Sequence, residues 1–150
     1  MAVMERNTIS EAGRLARFMG LPKWSRISDL DLVELVERGL PTRTIDVILK
    51  RVDPDARWMK PVDVIPKATY YRLRDKSLSQ EQSERVFALS KVLAETMFQY
   101  YDDHELALFF LVKRHPMLDM RRPYDLAKDS IAGADLVLEL LGQAAAGVAV

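Results

Sequence analysis

Six basic side chains, Arg57, Lys60, Lys67, Arg72, Arg74 and Lys76, fall within residues 57–76, against two acids, Asp63 and Asp75. Cations at that density suit a polyanion, because Lys and Arg hydrogen-bond to phosphates and release their counterions. The chain as a whole is neutral, with 22 Lys and Arg against 22 Asp and Glu over 150 residues. The basic segment is therefore a local footprint rather than a property of the whole surface. Its pattern is also specific. From Pro61 to Lys76 a short apolar stretch meets a break at Pro66 and continues as a second stretch carrying the cations, the form of a helix-turn-helix. Val62, Ile65, Tyr70 and Leu73 are expected to pack inward. That leaves Lys67, Ala68, Thr69, Tyr71 and Arg72 facing outward near the start of the second helix. In the usual docking this end enters the major groove, where Arg reads guanine through two hydrogen bonds. Arg74, Lys76 and Lys60 are placed for phosphates, which give affinity without sequence information. The expected DNA-binding set is Lys67, Thr69, Tyr71, Arg72, Arg74 and Lys76.

Catalytic chemistry finds little support. His104-Glu105 begins like a zinc-protease motif, but Leu108 stands where the second histidine is needed. His115 precedes Pro116, and each histidine is expected to be structural or at the surface. Asp102, Asp103 and Glu105 read as helix caps before a cation site. The six glycines are scattered, so no loop cradles a phosphate and no serine sits on a nucleophile elbow. Cysteine is absent, which removes disulfides, thiolate nucleophiles and cysteine-held metals. Trp24 and Trp58 read as core anchors and the methionines as gap filler. No catalytic residue, metal site or cofactor is expected, and the chain is not expected to be an enzyme.

The elements that must position these residues read as helices throughout, so the expected fold class is all-α. Hydrophobic residues make up 49% and charged residues 29%, as in soluble globular proteins. No run approaches the ~20 apolar residues that span a bilayer, and Met1 to Thr8 lacks a signal-peptide core. A cytoplasmic protein with no membrane partner is expected. Thr8 or Ser10 caps a first helix that ends before Gly20. Ser28 to Asp31 opens a second, ended by Gly39, and Pro41-Thr42 opens a third with Ile45, Ile48, Leu49 and Val52 on one face. Ser77 or Ser79 starts a long central helix. Val86, Leu89, Leu93, Met97 and Tyr100 form its first stripe and Phe87, Ala94, Phe98 and Tyr101 a second. Asp102-Asp103 caps a helix through the run Leu106 to Val112, which His115-Pro116 breaks. Ser130 caps a last helix with Ile131, Ala134, Leu138 and Leu141 inward, and Gly142 is expected to stop it. The division expected is residues 1–76, a helical N-terminal region with the helix-turn-helix at 61–76, and residues 77–150, a helical C-terminal domain.

Two features of the C-terminal third remain. One is Arg121-Arg122-Pro123-Tyr124-Asp125-Leu126, where Pro123 suits a first helical turn and the arginines suit the local acids. The other is the chain end: no charge follows Glu139, and residues 140–150 are Leu, Gly, Gln, Ala and Val only. A solvated tail is normally polar; this one either folds onto the core or is covered by something else.

Taken with the segment from Ile65 to Arg74 and Gly39-Leu40-Pro41, these features resemble the Xre/MbcA/ParS family of antitoxins, over most of the chain beyond residue 28. In that family an Xre-type helix-turn-helix precedes a toxin-binding domain. The domain is marked by an Arg-Arg-Pro-x-Asp-Leu motif, a closing Leu-Leu-Gly helix and a short Gly-Val tail. Here these are Arg121 to Leu126, Leu140-Leu141-Gly142 and Gly147-Val148. The resemblance implies the antitoxin of a RES–Xre pair. Its C-terminal domain and tail would block the NAD pocket of a RES-domain toxin, which consumes NAD or transfers ADP-ribose from it. The toxin-binding residues implied are Arg121, Arg122, Leu141, Gly142, Gly147, Val148 and Val150. The resemblance also implies a homodimer that represses its own operon. A transcriptional regulator with the same helix-turn-helix and no toxin is the alternative. The chain departs from the family at the turn, where Val64 and Pro66 replace the usual glycine and capping Ser or Thr, and at Leu118-Asp119-Met120 and Gln143 to Ala146. Val is a poor residue for a left-handed turn, so a reshaped turn is expected.

Overall fold

The computed structural model describes residues 9–147, and among these the chain is helical. The helices are α1 (Glu11–Phe18), α2 (Asp29–Arg38), α3 (Arg43–Val52), α4 (Pro61–Val64), α5 (Lys67–Leu73), α6 (Gln80–Gln99), α7 (His104–Val112), α8 (Pro123–Asp129) and α9 (Ile131–Ala145). Single 3-10 turns sit at Trp24–Arg26 and Pro116–Leu118. The starts follow from side chains that accept the free amides of a first turn. Ser10 takes Gly13 N–H, Ser28 and Asp31 form a reciprocal capping box, as do Ser79 and Gln82, Asp103 takes two amides and Ser130 takes Gly133 N–H. The Leu106–Val112 run is helical, as its Leu, Ala and Phe content favours.

Helix α6 is the spine. It packs against α1, α2 and α3 on the N-terminal side and against α7, α8 and α9 on the C-terminal side. Val86, Leu89, Val92 and Leu93 are sealed from solvent, and the buried residues of both halves form one continuous core. Its buried hydroxyls do not go unpaired: Ser90 donates to Val86 O and Thr96 to Val92 O, each at 2.7 Å. This back-bonding lets polar residues lie on the buried faces of a helix surrounded by others. Helix α9 lies along α6 and is held by Gln99, which donates to Leu141 O at 2.9 Å.

Four expectations need correction. The last helix does not stop at Gly142 but runs to Ala145; Gln143, Ala144 and Ala145 are good helix formers and outweigh one glycine. Ile131 is exposed, because the inward face of α9 is Gly133, Ala134, Val137, Leu140 and Leu141, with Gly133 pressed on Leu126 O. Phe98 and Tyr101 leave the second stripe of α6 and face solvent, Phe98 beneath the Arg14 guanidinium at 5.6 Å. Trp58 is 55% exposed and anchors nothing. Its loop is organised instead by the buried Asp53 carboxylate, which accepts Trp58 N–H at 2.7 Å and Met59 N–H at 2.9 Å. That arrangement turns Met59 into the core and Trp58 out.

Candidate functional site

The segment Pro61–Leu73 is two short helices joined through Ile65 and Pro66. Both joining residues are extended, Ile65 at φ −133°, ψ 156° and Pro66 at φ −55°, ψ 143°. No residue from 61 to 76 has positive φ. The turn is thus reshaped so that it needs no glycine. Proline at the N-cap of α5 loses no hydrogen bond that the helix requires, and its fixed φ suits that position. The inward residues are Val64, Ile65 and Tyr70, with Leu73 half-buried. Val62 is exposed, contrary to expectation: in a four-residue helix only one side meets α3, and Val64 occupies it.

Helix α5 is tied down at three points. The Tyr70 hydroxyl donates to Asp46 Oδ1 on α3 at 2.8 Å; burial, then the bond to Asp46, raises the pKa of this phenol. Arg43 at the start of α3 donates to Asp75 Oδ1 at 2.7 Å, which holds the Asp75 carboxyl below its usual range. Past its end, Thr42 N–H donates to Lys76 O and Leu78 N–H to Leu40 O, at 3.0 and 2.8 Å. The last contact demands Gly39: φ there is +110°, and a Cβ would collide with Leu78 O. Leu40 N–H is satisfied by the buried Ser83 hydroxyl at 2.8 Å, which links this clamp to α6.

The outcome is a rigidly seated α5 that presents Lys67, Ala68, Tyr71, Arg72, Arg74 and Lys76 to solvent, with Thr69 half-buried at the edge. Tyr71 stands edge-on to Tyr70 with ring centroids 5.3 Å apart, which fixes its direction. All six residues expected to meet DNA therefore lie on or directly after one short helix, none of them sealed in the core. Arg43 was missed by sequence reasoning. It lies 32 residues from Asp75, and its exposed guanidinium joins the face by neutralising that carboxylate. No periodic signal marks such a partner.

The C-terminal motif is mostly structural in its centre. Arg122 Nε donates to Val112 O at 2.9 Å and its Nη1 lies 3.7 Å from Asp125. Tyr124 is 3% exposed and donates to Asp63 Oδ2 at 3.3 Å. Arg121 is exposed and its backbone bridges to His115. His115 therefore shapes this turn, with Nδ1 accepting Met117 N–H at 3.3 Å. At the chain end Leu141 is 2% exposed and belongs to the core, whereas Gly142 and Ala144 to Gly147 are exposed and Gly147 turns at φ +84°. Gly142 also lines a groove of about 770 Å³ between α1, α6 and α9, with Arg14, Phe18, Phe98 and Leu138. Val148 and Val150 lie outside the described residues.

The comparison with known families finds a match to the antitoxin Xre-like helix-turn-helix domain over residues 31–91. The match runs from α2 through the first half of α6 and includes the reshaped turn and all of α5. No curated protein matched the chain. The match supports a DNA-binding antitoxin or regulator, and it makes the exposed side of α5 the candidate nucleic-acid interface. Among the described residues no cluster of His, Asp and Glu could hold a metal, and no helix is long and apolar enough to cross a membrane.

Proposed function

We propose that the chain is the antitoxin of a RES–Xre toxin–antitoxin pair. Residues 77–150 grip the RES-domain toxin, and the end of α9 with the tail covers the toxin's NAD site. The N-terminal region, through α5, binds the operator and represses the operon. A homodimer would set two copies of α5 on a palindrome, and the pair would act in the cytoplasm. The toxin face comprises Arg121, Arg122, Gly142, Gly147, Val148 and Val150. Leu141 contributes by seating α9 in the core.

The observation that carries the toxin half is the end of α9. Beyond Leu141 the helix continues for four residues with no charged side chain, and Gly142 and Ala144 to Gly147 are exposed. An uncharged, small-residue end held at a fixed angle by a buried helix is shaped to enter another protein's cavity. The test is survival of cells expressing a RES-domain toxin from the neighbouring gene. The full chain should protect, and a chain ending at Leu141 should fold, as judged by its melting curve, yet fail to protect. Full protection by the shortened chain would refute the tail mechanism.

A second reading, a regulator without a toxin, draws on the burial of Leu140 and Leu141, which consumes the two largest apolar side chains of this end. Under it, no RES-domain protein binds the full chain while DNA binding is intact.

A further inference from the structure

Helix α4 has only four residues, entered by a turn from Asp63 N–H to Lys60 O and left by a bond from Ile65 N–H to Pro61 O at 3.3 Å. A helix this short cannot hold itself in place, yet it feeds α5 through two residues. Val64 and Ile65 are buried, and its polar side-chain anchor is Asp63. One oxygen, Oδ2, accepts Lys60 N–H at 2.9 Å and the Tyr124 hydroxyl at 3.3 Å. Tyr124 belongs to the C-terminal motif, 61 residues away. Helix α8, which carries it, is gripped from several sides. Arg122 bonds Val112 O, Arg85 Nη2 donates to Lys128 O at 3.0 Å, and Leu126 O is packed against Gly133. A well-anchored helix thus reaches across a slot of about 220 Å³, lined by Trp58, Arg122, Asp125 and Lys128, to a single-turn helix.

We infer that Tyr124 is a positioning residue for the DNA-reading unit: its hydroxyl holds Asp63 and so steadies α4 and the Ile65-Pro66 entry to α5, the one end of α5 that its own three ties leave without a side-chain bond. The inference rests on the reading of α5 as the DNA-binding face. Packing alone would be served by Phe. A phenol sealed in a core keeps its hydroxyl where that hydroxyl has a partner, and Asp63 is the one it meets. The bond is at the long end for O–H···O, so its loss shifts binding severalfold rather than abolishing it.

The test uses full-length protein and a labelled duplex enriched by the wild-type chain from a random-sequence pool. Tyr124→Phe should weaken binding about three- to tenfold without changing the dependence on salt, since no phosphate contact is lost. Amide exchange should quicken at residues 61–65 while α6 keeps its protection. Tyr124→Phe should add nothing in an Asp63→Ala background. Wild-type affinity, unchanged exchange at 61–65, or additive effects in the double variant would each overturn the inference. Failure of the underlying reading looks different: no duplex is enriched, or Lys67→Ala/Arg72→Ala binds as tightly as wild type. Exchange at 61–65 then decides the role of Tyr124 by itself.

Discussion

Replacing Arg74 and Lys76 together by Ala should change how DNA binding responds to salt more than it changes which sequence is bound. Both side chains are exposed on either side of Asp75, and neither makes an ion pair among the described residues, whereas Asp75 is occupied by Arg43. Both cations are thus free for phosphates. Each phosphate contact contributes about 0.9 to the slope of log K against log salt. Losing two should flatten the slope by about 1.8. Between about 50 and 200 mM salt, log salt changes by about 0.6, so the wild-type advantage should shrink about tenfold across that range. Fluorescence anisotropy on one duplex at four or five salt concentrations measures it. The sequence preference should survive if these residues meet phosphates, which position a chain without reading bases. An unchanged slope would show that this end of α5 does not face the backbone and that the assignment of the face is wrong.

Further expectations follow from the clamps around α5. Gly39→Ala should cost about 2–4 kcal/mol in denaturant unfolding, since it combines a disfavoured φ with overlap on the Leu78 carbonyl; a cost near zero would mean that this strap moves freely. Asp53→Ala should cost about 1–3 kcal/mol, because it removes a buried carboxylate and orphans the buried Met59 N–H and the part-buried Trp58 N–H, and amide exchange at those two residues should report it. Burial, reinforced by Asp63, raises the Tyr124 pKa far above its ordinary value of 10.0. The folded state therefore favours the protonated phenol. That stability is complete below about pH 10 and is lost as pH climbs above it, when the unfolded chain ionises first. Melting temperature should fall more steeply above pH 10 in the wild type than in Tyr124→Phe, and equal slopes would contradict the burial.

Much of the helical scaffold was legible because its signals are local. Ser10, Ser28, Ser79, Asp103 and Ser130 cap their own helices within three residues, and Pro66 and Pro116 break the chain where φ must be fixed. The cations of α5 cluster in sequence, so its surface could be read before its neighbours were known. What was illegible depends on distant partners. Val62 and Val64 are equally apolar, and only the position of α3 decides which is buried. Trp58 looks like a core residue until Asp53 is seen to hold its amide and turn Met59 inward. The bonds from Tyr70 to Asp46 and from Tyr124 to Asp63 join residues 24 and 61 apart, and no periodicity announces them. The motif at Arg121 to Leu126 was conspicuous, yet Arg122 and Tyr124 prove to be braces of the chain itself, which composition does not reveal.

The central claim, that α5 of this Xre-type domain reads DNA, is tested most directly by sequence selection. The full-length chain and its Lys67→Ala/Arg72→Ala variant would each be used to enrich duplexes from one random pool, followed by sequencing. The account predicts that the wild type enriches a defined motif, with two half-sites about one helical turn apart if it binds as a dimer, and that the variant loses it. Enrichment of the same motif by both proteins, or of none by the wild type, would contradict it.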